Sequence, residues 1–273
     1  ALLLEIFGDE WMLAPAMRWR WRYDADWVCA DLGRVLAPDA PPETRRALGA
    51  ERLAPFRAAA AALGITEETG PEIERATLAL LERLDAVLAR SPYLLGARPS
   101  IGDFGMIGPL YAHLGRDPTP KALIAERAPN VAAWTARMMR PAEAGETPGA
   151  FAAADAVSAP LTRALAEMTA LQAPLLREAE AATAAWLAGA APGAEAPRAA
   201  GRGVFRIGGA EAPVALRPYS LWMLQRARDA YAALAPAARA AADGFLDQIG
   251  AGELLRERPE RRLALTDFRL RAA

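Results

Sequence analysis

Residues 103–105 read Asp-Phe-Gly, the triplet that binds catalytic magnesium in protein kinases, and His113 and Asp117 follow it. A kinase also needs a glycine-rich strand and a phosphate-pairing lysine, both N-terminal to this triplet. The single lysine of the chain, Lys121, lies C-terminal to it. We therefore exclude kinase chemistry and expect a different role for Asp103.

Three other side chains are capable of chemistry. Glu10 falls within an apolar stripe of the first helix, where a carboxylate must be paired or neutral, so we expect a structural salt bridge to a nearby arginine. His113 has no partner fixed by sequence, and we expect a surface or helix-terminal imidazole. Cys29 is expected to be packed, because the sequence shows nothing that would stabilise its thiolate. No catalytic residue is identified.

The composition excludes several classes of protein. The chain has 273 residues, 32 basic against 33 acidic, so no net charge draws it to nucleic acid or to an anionic membrane. One cysteine and one histidine argue against a metal site. No run is apolar enough to span a bilayer, and no signal peptide is evident. We expect a cytoplasmic protein, and its start within helical sequence suggests part of a longer one.

Abundant alanine and 3.6-residue periodicity predict a mainly α fold. The first expected helix covers residues 1–36 and is kinked at Pro15. One further helix follows Ser100 and another begins at Asn130, and the remaining expected helices cover residues 42–63, 72–90, 119–127, 159–187, 219–234 and 236–249. Residues 141–150 are predicted to be a linker. Two alternating segments, around Gly208-Gly209 and in residues 261–270, predict a small antiparallel β-sheet in this C-terminal part.

Ser100 and Asp103 have the spacing of a capping box, in which each residue caps the other at a helix start. The helix that follows places Phe104, Ile107, Tyr111 and Leu114 on one stripe and small residues beside it. This pattern predicts a central, almost wholly buried helix. Asp103 is then structural and not catalytic.

The segment "LLGARPSIGD" at 94–103 and "PNVAAW" at 129–134 carry a resemblance to a known family. They resemble the C-terminal helical domain of the glutathione transferase superfamily, whose core helix opens with such a capping box. The first helix is similar to that of several bacterial members. The resemblance implies a helical domain over residues 1–140, with residues 141–273 forming a helical extension that packs a small β-sheet against it.

The resemblance also implies where ligands bind. In this family the pocket for the second substrate lies between a thioredoxin-like domain and the first and fourth helices of the helical domain. Transferred to this sequence, the pocket residues are Trp11, Pro15, Arg18, Trp19 and Arg22 on the first helix and Tyr111 on the central helix. The aromatic rings would suit an apolar electrophile, and the guanidinium groups a carboxylate. The alternative is that the tryptophans pack in the core and the arginines are solvated.

Glutathione would be the co-substrate, yet the thioredoxin-like domain that supplies the catalytic group in this family is not evident here. The leading hypothesis is therefore the substrate-binding domain of a glutathione S-transferase-like protein, in which a glutathione thiolate attacks an electrophile. One alternative is a non-catalytic interaction or dimerisation module, including a homodimer. Another is a glutathione-independent protein in which the extension completes a pocket for small ligands such as carboxylates.

Overall fold

The computed structural model describes residues 1–140, 149–153 and 156–273. Most of the predicted linker at 141–150 lies outside these residues. The described chain is mainly α-helical, as predicted. Its helices are α1 (Leu2–Ile6), α2 (Leu13–Tyr23), α3 (Ala25–Leu36), α4 (Pro42–Ala59), α5 (Thr69–Leu88), α6 (Ile101–Pro109), α7 (Pro118–Arg127), α8 (Pro129–Met138), α9 (Ala159–Gly189), α10 (Pro218–Ala232), α11 (Pro236–Gln248) and α12 (Gly252–Arg256).

The predicted first helix is divided into three. A π-helical turn, Phe7–Trp11, joins α1 to α2, and a second break follows at Asp24. Pro15 lies in the first turn of α2, where it has no N–H to offer the carbonyl of Trp11. The π-helical turn directly before it accommodates this loss, so the predicted kink takes the form of a widened turn.

Two glycines determine local features of the helical part. Gly64 has φ +77° and ends the segment that contains α4, as the sequence predicts. Gly8 packs so tightly against the backbone of Gly105 that a Cβ atom at residue 8 would overlap it. The first helix and α6 therefore cross with their backbones almost in contact.

Two separate β-hairpins occupy the C-terminal part, where the sequence predicted one small sheet. Strands β1 (Gly201–Ile207) and β2 (Ala210–Leu216) pair antiparallel around Gly208-Gly209, both at positive φ. Strands β3 (Leu263–Thr266) and β4 (Arg269–Ala272) pair around Asp267 and Phe268, which also have positive φ. The second turn lacks the glycine that marks such hairpins in a sequence.

The extension packs directly on the helical part. Helix α9 lies on α5, α10 lies on α1 and α9, and β1 and β2 contact α5 and α9. A single hydrophobic core cluster contains Leu4 from α1, Leu84 from α5, Leu176 from α9 and Val214 from β2. This shared core places the N-terminal helix against residues more than half the chain away.

Candidate functional site

Asp103 has the structural role that the sequence predicts. It is fully buried and forms a capping box with Ser100, whose backbone N–H donates to Oδ2 at 2.9 Å and whose hydroxyl donates at 2.8 Å. The backbone N–H of Leu94 and the indole Nε1 of Trp134 donate to Oδ1, at 2.9 and 3.1 Å. The carboxylate is thus saturated by protein donors and is not available for catalysis.

Four of the six predicted substrate-binding residues are buried. Trp11 is 2% exposed and stacks on Phe7 with ring centroids 4.8 Å apart. Arg18, 8% exposed, donates from Nε to Oε1 of Glu74 at 2.7 Å. Pro15 and Trp19 are buried as well. These residues pack within the protein, as the alternative interpretation of the tryptophans expects, but Arg18 is paired and not solvated.

The other two, Arg22 and Tyr111, reach solvent. Tyr111, in the π-helical turn Leu110–Leu114 that follows α6, is 52% exposed, and Phe104 and Ile101 of α6 are 57% and 43% exposed. The expectation of an almost wholly buried central helix is therefore wrong for this face. Every residue of α6 other than Asp103 is apolar or glycine, so the sequence contains no polar residue to identify the solvent side.

A cavity of about 30 Å³ lies where the first helix meets the extension. Of the six predicted residues only Trp11 lines it. The apolar walls and the polar end together comprise Glu10, Trp11, Ala14, Leu63, Gln172, Leu175, Leu176, Ala179, Phe205, Val214, Ala215, Leu216, Arg217 and Ser220. The cavity thus depends on α2, α9, β1, β2 and the start of α10 together.

Glu10 forms the polar end of this cavity with two residues of the extension. Its side chain is 9% exposed, and Oε2 lies 3.1 Å from Nη2 of Arg217. The hydroxyl of Ser220 donates to the same oxygen, and Arg217 also donates to the backbone carbonyl of Glu10 at 3.2 Å. Burial raises the pKa of Glu10, while Arg217 and Ser220 oppose the rise. The predicted salt bridge exists, but its arginine is distant in sequence.

Two further polar atoms around the cavity have no hydrogen-bond partner within the described residues. They are the indole Nε1 of Trp11 and Oε1 of Gln172, on side chains 2% and 3% exposed. The first is a donor and the second an acceptor. A molecule in this cavity that reaches both atoms would have to accept a hydrogen bond from the first and donate one to the second.

His113 lies next to a buried ion pair. Arg20 donates from Nε to Oδ2 and from Nη2 to Oδ1 of Asp117, at 2.7 and 2.8 Å. Burial, followed by the positive charge of Arg20, lowers the pKa of His113 to about 4. Its Nδ1 atom is buried and has no hydrogen-bond partner in the described part of the chain. The imidazole is neutral at physiological pH, in a helix-terminal position as expected.

Cys29 is buried on α3, in agreement with the packed position expected from the sequence. Burial raises the pKa of its thiol, and Asp26 raises it further. Neither effect produces a thiolate nucleophile. Within residues 1–140, 149–153 and 156–273, no three side chains of His, Cys, Asp or Glu cluster closely enough to hold a metal ion. None of the described helices is long and apolar enough to cross a membrane.

Sequence reasoning missed Arg217, Ser220 and Gln172. Arg217 and Ser220 flank the start of α10, and Gln172 is one polar residue on a long, largely apolar helix. Each is an ordinary residue in its local sequence, and only the packing of the extension brings them to Glu10. No motif would have identified them.

Comparison with known proteins identifies one family. Residues 56–137 match the model of the glutathione S-transferase C-terminal domain. The matched segment contains α5, α6 and the capping box of Asp103. Comparisons with curated proteins and with solved structures found no significant match. Residues 56–137 are thus similar to the glutathione S-transferase C-terminal domain, and they lie here within a longer helical chain.

Proposed function

We propose that this chain is the substrate-binding helical domain of a glutathione S-transferase-like protein. In the complete protein a thioredoxin-like domain holds glutathione as the thiolate, which attacks the electrophilic carbon of a second substrate and displaces its leaving group. The helical domain supplies the surface for that second substrate. The match of residues 56–137 to the family is the observation that carries the proposal.

The uncovered face of α6 supports this function. Ile101 and Phe104 of α6, with Tyr111 in the π-helical turn after it, form a stripe of apolar side chains exposed to solvent. Exposed apolar area of this kind is favoured where a second domain or an apolar ligand covers it. We infer that the glutathione-bearing domain and the electrophile cover this stripe.

Tyr111 and Arg22 are the predicted pocket residues that solvent reaches, so we assign them contact with the electrophile. The four buried residues would then act indirectly, because they hold the first helix in place and so position Arg22. They are Trp11, Pro15, Arg18 and Trp19. The Arg18–Glu74 ion pair ties this helix to α5. In this arrangement Arg22 is free to attract a carboxylate of the substrate.

The test is to express the entire reading frame that encodes this chain and to assay glutathione conjugation with chlorodinitrobenzene. We expect activity, and we expect Tyr111→Ser to raise KM several-fold because apolar contact is lost. Phe268→Ser is the matched control, since Phe268 is 97% exposed on the β3–β4 turn. A reading frame without a thioredoxin-like domain, or a protein that neither binds nor conjugates glutathione, would contradict the proposal.

A second candidate function is an interaction module that forms a homodimer, and the exposed apolar residues of the α3–α4 hairpin favour it. Gly49 is the one residue of α4 that is buried, and the hairpin exposes Val35, Leu36, Leu48 and Phe56. We expect Phe56→Glu to weaken self-association measured by analytical ultracentrifugation, with Phe268→Glu as the control. A chain that stays monomeric at all concentrations would argue against the homodimer.

A further inference from the structure

We propose that the junction cavity between the first helix, α9 and the β1–β2 hairpin binds a small neutral molecule with a hydroxyl or carboxamide group on a short alkyl chain. The residues that line this site belong to the first helix, to Leu63 and to the extension, and none of them belongs to α6. The inference is independent of the glutathione proposal. It concerns a ligand held by the extension itself.

The charges around the cavity select a neutral ligand. The carboxylate of Glu10 and the guanidinium of Arg217 already pair with each other, 3.1 Å apart. An anion would meet Glu10, and a cation would meet Arg217, so a charged ligand would have to separate the pair within a largely apolar enclosure. This balance argues against the small carboxylates that the sequence suggested.

The hydrogen-bonding groups select a ligand that both donates and accepts. Among the residues that the structure describes, Nε1 of Trp11 has no acceptor and Oε1 of Gln172 has no donor. Both side chains are nearly fully buried, so each atom has given up its hydrogen bonds to bulk water without replacement in the protein. Alcohols and primary amides carry both functions on a single small group.

The volume of the cavity and the apolar residues that line it define the ligand further. A cavity needs roughly 10–15 Å³ of such volume to hold one water molecule. The volume of about 30 Å³ therefore suits a molecule with about two to four heavy atoms. Leu63, Leu176, Phe205 and Val214 provide an apolar wall, which suits an alkyl group better than a second water molecule. Acetamide and ethanol have these properties, and acetate matches acetamide in size but is charged.

The experiment measures binding of acetamide, ethanol and acetate to the chain by ligand-observed saturation-transfer NMR, with thermal unfolding in parallel. We expect saturable binding and a rise in Tm with acetamide and ethanol, and neither with acetate. Gln172→Leu removes the unpaired acceptor and should weaken acetamide binding about tenfold. Gln248→Leu, an exposed site on α11, is the matched control and should bind as the wild type does.

A second variant keeps the proposal testable if Gln172→Leu does not fold. Ala179, 1% exposed in the cavity wall, can be enlarged to valine to fill the space without changing any hydrogen-bonding group. We expect Ala179→Val to abolish binding of both molecules. Absence of saturable binding, equal binding by the Ala179→Val protein, or acetate binding as tightly as acetamide would overturn the proposal. The first of these results would indicate a cavity that holds only water.

Discussion

Asp103 and Glu10 are both carboxylates removed from solvent, but they are held by different kinds of partner. Asp103 accepts hydrogen bonds from two backbone N–H groups, a hydroxyl and an indole. Glu10 has one hydroxyl donor and one guanidinium, both from the extension. A carboxylate saturated by fixed neutral donors needs no counter-ion, whereas Glu10 depends on a charge brought to it by tertiary packing.

The contacts of Asp103 stabilise mainly local structure, whereas those of Glu10 join distant parts of the chain. Most of the partners of Asp103 lie within ten residues of it, and they fix the start of α6. The side-chain partners of Glu10 join the first helix to α10. Variants of the two sites should therefore differ in magnitude and in their dependence on pH.

The largest expected effect is that of Asp103→Ala. It leaves the N–H groups of Leu94 and Ser100 and the indole of Trp134 buried without acceptors, so we expect a loss of about 4 kcal/mol in the free energy of unfolding. Urea denaturation measures it. Asp103→Asn keeps the shape and some acceptor capacity and should lose about half as much. A loss below about 1 kcal/mol in the alanine variant would show that the box is not an anchor.

Arg217→Ala should follow, with a loss of about 3 kcal/mol at neutral pH, because it leaves the charge of Glu10 buried without its counter-ion. The loss should shrink in acid, where Glu10 takes up a proton. Arg202→Ala, at a more exposed site on β1, is the control, and its unfolding free energy should be nearly unchanged. Equal losses at pH 4 and pH 8 would mean that Arg217 acts through packing and not through charge.

His113 provides a third case, in which burial acts without a specific partner. Its pKa is about 4 in the folded protein against 6.5 in an exposed chain, so the unfolded state binds the proton more tightly. Stability is then fully present above pH 6.5 and is lost as the pH falls towards 4, by on the order of 2 kcal/mol once partial exposure is allowed for. As the chain has a single histidine, its proton NMR titration reads this pKa directly. A midpoint near 6.5 would contradict the buried placement, and His113→Gln should remove this part of the pH dependence.

The smallest expected effect concerns Glu10 itself. Because burial raises its folded pKa above the ordinary value of 4.5, the folded state binds the proton more tightly, and stability falls as the pH rises from 4.5 through the folded pKa. Glu10→Gln should flatten this segment of the stability profile. Asp9→Asn is the control for the neighbouring carboxylate, whose pKa burial also raises. An unchanged profile in Glu10→Gln would place the titration elsewhere.

The two carboxylates also show what the sequence can predict. The box of Ser100 and Asp103 is a local pattern, and so is the Gly208-Gly209 turn, because in both cases the chemistry lies within a few adjacent residues. The hairpin at Asp267 and Phe268 has no such marker. The exposed face of α6 was misplaced because almost all its residues are apolar, so periodicity alone does not identify the buried side.

The candidate site was predictable only in part. The sequence indicated that Glu10 must be paired, since a carboxylate in an apolar stripe has few alternatives. It did not indicate Arg217, Ser220 or Gln172, because long-range packing chooses among many equivalent polar residues. The π-helical turn at Phe7–Trp11 adds to the difficulty, since a widened turn rotates the residues after it relative to those before. A regular helical wheel therefore does not predict correctly whether Trp11 lies on the same face as Leu3 and Ile6.

The salt bridge between Glu10 and Arg217 has a consequence for biosynthesis. Arg217 follows Glu10 by 207 residues, so a ribosome adding about 5–20 residues per second needs roughly 10–40 s to deliver the partner. For the larger part of that interval the first helix can meet α6 but not the extension, which supplies most of the cavity lining around Trp11. A nascent chain halted before residue 217 is thus expected to lack the counter-ion that the buried carboxylate of Glu10 requires.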